Sequence, residues 1–435
     1  MPERHDRLAA ARQPQFQLYA AGRLASATAM TLLNATIALQ VWRISDSAFQ
    51  LGMIGLARFL PALGLSLVGG AVADAHDCRR VAMAAQVVPL GASFVLLLLT
   101  SSGQVELPLI YALVLLIACA SAFENPARQA LLPLLVKRET FPNAIVVSST
   151  VQSLGFVTGP TAAGWVIHWS GFSSAYGLHM ALVGASILTF VFLRPREPDG
   201  LRRTVSLAAI REGVSFVRHR QVVLGAMTLD MFAVVFGGAV ALLPIYAEDI
   251  LDVGPRGYGI LSASLEAGAV IMSVLLVLIP PIRRVGRTLL LTVAAFGVLT
   301  IAFGLSRSFA LSVGIYMLIG MADQISVVMR QTTIQLSVPD ELRGRVSSVN
   351  QLFIGASNQL GAVESGVVAW ATSATFAVVS GGAGCLAVVA AVAAKMPELR
   401  RYTVDAMASD AAEPLAIAAG PDERAAAISP PAAGG

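Results

Sequence analysis

Arg128-Gln129, inside one long apolar segment, recurs as Arg330-Gln331 inside another, 202 positions further on. At the same spacing Glu139 is matched by Glu341, Gly159 by Gly361 and Gly164 by Gly366. A duplication carried by an almost wholly apolar chain is the mark of a membrane transporter built from two repeated halves. Halves that rock about a shared interface can expose one site to each side of a membrane in turn.

Composition agrees. Of 435 residues, 56% are hydrophobic and 13% charged, with a mean hydropathy of +0.73. Soluble domains carry about 25% charge, so the chain reads as an integral membrane protein in contact with the lipid bilayer. The net charge of +4 comes from basic residues set between apolar runs, which excludes a nucleic-acid surface. Cys78, Cys119 and Cys385 are far apart, and the five histidines are scattered, so neither a disulfide framework nor a metal site is expected. Residues 1–15 are polar and the first apolar run is long enough to span, so no secretory signal is expected.

Twelve segments meet the requirement of about 20 mostly apolar residues for a spanning helix. They fall near 16–42, 50–72, 81–101, 107–131, 143–168, 174–193, 221–247, 256–280, 288–306, 309–335, 346–371 and 374–395. This predicts an all-α membrane protein with two pseudo-symmetric six-helix halves, 1–194 and 221–400. An arginine-rich linker, 195–220, joins them, and 205–219 within it can form an amphipathic surface helix. Residues 401–435, rich in Ala, Pro and Gly, read as a disordered tail. If the first residue is cytoplasmic, 25 basic residues fall on that side and three on the other, Arg43, Arg256 and Arg307. That bias places both termini in the cytoplasm.

The loop after the second span reads Gly70-Ala-Val-Ala-Asp74-Ala-His-Asp77-Cys-Arg79-Arg80. It resembles the signature loop of the major facilitator superfamily, with Ala75 where a basic residue is usual. The resemblance implies a gate in which Asp74 and the basic pair hold one conformation shut. Arg283-Arg284-Val-Gly286-Arg287 follows the eighth span, where the repeat requires a counterpart. Gly155-Phe-Val-Thr-Gly159-Pro160-Thr-Ala-Ala163-Gly164 resembles the fifth-helix motif of antiporters of this superfamily, with Ala163 in place of one glycine. Asn125-Pro-Ala-Arg128-Gln129 and Pro339-Asp-Glu-Leu-Arg-Gly-Arg-Val346 resemble the branch that includes siderophore and drug exporters. The likeness covers about residues 15–398 and implies the major facilitator fold.

Ionisable groups at membrane depth are costly and mark candidate sites. Arg58, Asp230, Glu266, Asp323 and Glu364 all lie inside predicted spans. The eleventh span carries Asn350, Ser357 and Glu364 on one stripe, with Gln351, Asn358 and Ser365 on the next. This polar arc is expected to face a cavity or another helix, and it ranks Glu364 first, then Glu266, among candidate proton carriers. Asp323, Asp230, Arg58, Asn358 and Gln351 complete the cavity candidates. Glu124 and Arg128, at i and i+4, can pair on one face. Asp323 and Arg330, seven apart, share another, so the acids could equally be static partners of arginines.

The reading is a secondary transporter of the inner membrane, expected to be monomeric, that exports a drug or siderophore in exchange for protons. No nucleotide-binding loop, cofactor site or enzymatic constellation is apparent. The alternatives are an importer or lipid flippase of the same fold, or a transport-inactive membrane sensor.

Overall fold

The computed structural model describes residues 12–196, 214–218, 220–237, 239–280, 282–338 and 340–403. It is a bundle of long helices, α1 Pro14–Ser45, α2 Ala48–Ala75, α3 Cys78–Ser102 and α4 Leu107–Leu135. Helix Phe141–Phe192 bends at Gly171 (φ 78°, ψ 179°) into two arms, α5 before the kink and α6 after it. Helix α7 comprises Gln221–Phe236, a break at Gly237, Ala239–Ile245 and one π turn, Tyr246–Ile250. Then follow α8 Gly254–Leu278, α9 Val285–Leu305, α10 Phe309–Ser337, α11 Asp340–Ala371 and α12 Ala374–Lys395, with a short α13 at Pro397–Arg401. The twelve predicted spans therefore all appear. By apolar length alone nine helices of the described residues qualify, the bent 52-residue helix counting once and α2 and the polar α11 not being among them.

Local chemistry sets the ends. Pro14, Pro108, Pro142 and Pro255 open their helices within the first two positions, where a missing N–H costs nothing. Asp77 caps α3 by accepting from the Arg79 N–H at 2.9 Å. Gly103, at φ 71°, closes the same helix in the left-handed conformation. Large apolar side chains cover the outside, with Val277 82% and Leu291 72% exposed, as lipid contact allows and water would not.

Let the near end be the one where α1 starts. Each half has its own buried cluster there, one built on Tyr19, Leu131 and Phe190, the other on Leu229, Leu289 and Val392. At the far end a single cluster runs through both halves, from Leu32 and Tyr176 to Tyr246 and Tyr316. The principal contacts between halves are α2 with α11 and α5 with α8. The halves are thus fused at one end and separate at the other.

Two predicted segments lie mostly outside the described residues. Of the expected surface helix 205–219, residues 214–218 are helical; from 404 onward the expected tail is not described. Of residues 401–403, assigned to that tail by composition, Tyr402 is packed against the bundle instead. Tyr402 is buried, its hydroxyl 2.5 Å from Ser337 Oγ, and its carbonyl accepts from the Gly286 N–H.

Candidate transport site

The repeated glycines explain the far seal. A Cβ on Gly159 would stand 2.6 Å from the Thr28 carbonyl on α1, and one on Gly361 would stand 2.8 Å from the Val234 carbonyl on α7. These glycines seat α5 and α11 against the first helix of their own half. One turn on, Gly164 meets Gly259 of α8, and Gly366 meets Gly52 of α2, with a built Cβ on Gly366 2.6 Å from Gly52 Cα. Backbone therefore touches backbone across the two halves. Gly155 fits against Ala27 and Thr28, so the antiporter-like motif forms one continuous packing edge with Pro160 at its centre.

Two of the three basic residues expected on the far side join this seal. Arg43 makes a forked pair with Glu248 across the halves, at 2.9 and 3.2 Å. Arg256 stacks on Trp165, 3.8 Å from the ring centroid. Arg307 bonds within its own half, to Thr375.

Beneath the seal lies a cavity of about 380 Å³ between the halves. Arg58, Glu266, Asp323 and Asn358, all sequence candidates, line it together. Arg58 donates to Asn34 Oδ1 at 2.8 Å. On α8, Tyr258, Ser262 and Glu266 follow one another at i, i+4 and i+8, a spacing that points them to one face. On α10, Tyr316, Ile319 and Asp323 form the matching stripe. Phe156, Pro160 and Phe296 supply apolar wall. Sequence reasoning passed over Asn34, Tyr258 and Tyr316; the Tyr258-Ser262-Glu266 spacing was the signal available for the second.

The other candidates fall elsewhere. Glu364 does not line the cavity. It is half-buried and accepts from Ser365 Oγ at 3.2 Å. Ala362 is the cavity-facing residue of that turn, and Glu364 lies two residues on, about 200° around the helix. Gln351 is exposed and also outside the lining. Asp230 is buried in an ion pair with Arg330, so the seven-residue spacing of Asp323 and Arg330 does not make a pair. Asp230 lines a minor void beside Asp323 and Ser326.

Arg128 pairs with Glu124 and donates to Ser26 at 2.9 Å, while Gln86 donates to the same carboxylate at 2.9 Å. The repeat makes this informative. Glu124 corresponds to Ser326, and Thr28 on α1 corresponds to Asp230 on α7. Each half anchors its arginine with one carboxylate, taken from α4 in the first half and from α7 in the second.

In the signature loop, Gly70 and Asp74 lie on the last turns of α2; the Asp74 side chain is outside the described residues. Arg79 donates to the Leu193 carbonyl at 2.6 Å, placing a cation at the C-terminal end of α6. Arg80 meets Asp77 at 3.6 Å, largely in the open. Arg283, Arg284 and Arg287 are exposed at the start of α9.

Known proteins resemble this chain in sequence and in fold. The enterobactin exporter EntS of Escherichia coli O1:K1 is 24% identical over 392 residues, covering 89% of this chain and 93% of that one. Its counterpart in Escherichia fergusonii is 24% identical over 391. Among solved structures, the nucleoside transporter NupG superposes with a TM-score of 0.66 at 13% identity, covering 89% of this chain and all of that one. A bacterial homolog to the human lysosomal transporter Spinster, inward-facing and unoccupied, gives 0.63 at 14%, covering 89% and 97%. These structures share the fold. The profile of the transmembrane secretion effectors, MFS_3, matches residues 6–428, and the chain belongs to that family, as a multi-pass membrane transporter of the major facilitator fold and not an enzyme.

Proposed function

We propose that the protein exports a small organic molecule across the inner membrane in exchange for protons, by alternating access. The observation that carries this is the cavity between halves that share one core at the far end and keep separate cores at the near end. The basic-residue bias makes the near end cytoplasmic, so this is the inward-facing state. The halves divide at 1–194 and 221–400. Export, and a siderophore as cargo, draw support from the enterobactin exporters, which match nearly end to end; a drug is the alternative cargo. Reporter fusions at residues 200 and 405 should both read as cytoplasmic; opposite readings would remove the orientation.

Glu266 and Asp323 are the proposed proton carriers. Both line the cavity, and neither forms an ion pair among the described residues. Burial penalises the charged form of a carboxyl, and closing the cavity to water raises that penalty, so proton occupancy changes as the halves rock. The signature loop, through Asp74 and Arg79, governs the rocking and not the cargo. Glu266→Gln and Asp323→Asn should each cut gradient-driven export in proteoliposomes at least about tenfold, because an amide cannot take up and release the proton. Cargo exchange without a gradient should persist at saturating cargo, because each variant keeps the other acid of the pair. Glu364→Gln should respond to an imposed pH gradient as the parent does. A parent-like gradient response in both cavity variants would remove these acids from the coupling step.

A further inference from the structure

We infer that the cavity is built for an amphoteric cargo, with an anionic group held by Arg58 and Asn34 and a basic group about two helical turns away against Glu266 and Asp323. The inference rests on the cavity being the transport site, and it specifies the chemistry of what enters.

The charges at the cavity wall are uncompensated. Arg58 forms no ion pair among the described residues; its bond is to a neutral amide, that of Asn34. The fully buried guanidiniums, those of Arg128 and Arg330, each have a carboxylate, while Arg23, which like Arg58 is only partly buried, bonds to the neutral Gln152 and does not line the cavity. A cation at membrane depth without a counterion is costly, and the cost is removed when an anion arrives. Across the cavity Glu266 and Asp323 lie close enough to feel each other's charge, with no basic ion-pair partner among the described residues. The Tyr316 hydroxyl is a second, independent sign. Tyr316 is 1% exposed, its ring forms part of the same wall, and its oxygen has no hydrogen-bond partner among the described residues. Buried polar atoms are nearly always satisfied, so this hydroxyl is available to a group that enters the cavity.

Geometry sets the length. Arg58 and Tyr258 line the same cavity within electrostatic reach of each other, and Glu266 is eight residues further along α8, about 12 Å at 1.5 Å per residue. The two charged ends of the cargo are then separated by about 10 Å, and the body between them can be mostly apolar, because the cavity wall also carries Phe156, Leu265 and Phe296. Short zwitterions such as simple amino acids cannot reach both ends at once.

The test uses purified full-length protein in detergent, without any gradient, and reads thermal stabilisation against probe concentration. The probes are 8-aminooctanoate, octanoate, octylamine and 4-aminobutyrate. The eight-carbon zwitterion should bind at least about tenfold more tightly than any of the other three, the value of one extra charge-assisted bond. Arg58→Gln should remove its advantage over octylamine, and Glu266→Gln with Asp323→Asn its advantage over octanoate. Equal affinity for all four probes in the parent, or a zwitterion preference that survives Arg58→Gln, would overturn the inference. The parent's ranking decides even if a variant fails to fold. Loss of proton coupling would leave this equilibrium ranking unchanged, so the two failures are distinguishable.

Discussion

Leucine in place of Gly366 should hold the protein open at its far end. A single methyl there already overlaps the backbone of α2 at Gly52. Backbone cannot rotate away as a side chain can, so the halves must part to admit the larger group. Overpacking of this kind costs about 1–3 kcal/mol. Charged only to the far-closed state, that moves the equilibrium between facings by about 5- to 150-fold. Gly164→Leu should act alike through Gly259, and the pair together should act additively, since they lie on different crossings. Spin labels on the far ends of α1 and α7 report the change as a longer distance. Transport should slow because the return through the far-closed state is obstructed. Gly64→Leu on α2, where a Cβ meets nothing within 4 Å, is the control. Unchanged distances and normal transport in both variants would show that the crossings are not the seal.

The second large effect concerns stability. Asp230→Ala leaves Arg330 buried with no counter-charge, the side chains being 8% and 3% exposed. Removal of one member of a buried pair costs about 3–5 kcal/mol, and the melting temperature in detergent should fall markedly. Asp230→Ala combined with Arg330→Met should recover most of the loss, because the orphan charge goes too. Glu124→Ala should cost less than Asp230→Ala. Arg128 keeps its bond to Ser26 and its place over the Phe190 ring, 5.0 Å from the centroid. A double variant no more stable than Asp230→Ala alone would show that packing, not charge, was lost.

The helices were readable because each must supply its own run of apolar residues. Ala374–Lys395 matches the predicted 374–395, and Pro14–Ser45 extends 16–42 by a turn at most. What hydropathy could not show is conformation inside an apolar run. The break at Gly237 passes without a polar residue to mark it, and spans five and six are joined by a kink at Gly171 instead of a loop. The site was half readable for a related reason. Charge at depth picked out Arg58, Glu266 and Asp323. Which stripe of α11 faces the cavity depends on how the halves meet, and there the most polar stripe was a poor guide. Gly366 packs on Gly52, which turns Asn358 and Ala362 inward and Glu364 away. Asp230 and Asp323 were indistinguishable by spacing, since nothing in the chain says that α7 stands beside Arg330.

The relocated carboxylate also constrains how the two halves diverged. If both descend from one ancestral unit, the acid serving the repeated arginine moved from one helix to another, between the positions of Glu124 and Asp230. A lineage that lost the old acid first would have passed through an orphan guanidinium, at a cost comparable to the whole stability of many domains. The open route gains the second acid before losing the first. A half carrying both, made today by adding Ser326→Glu to this chain, reconstructs that intermediate. Its arginine would have had two suitors, and either could then be discarded without penalty.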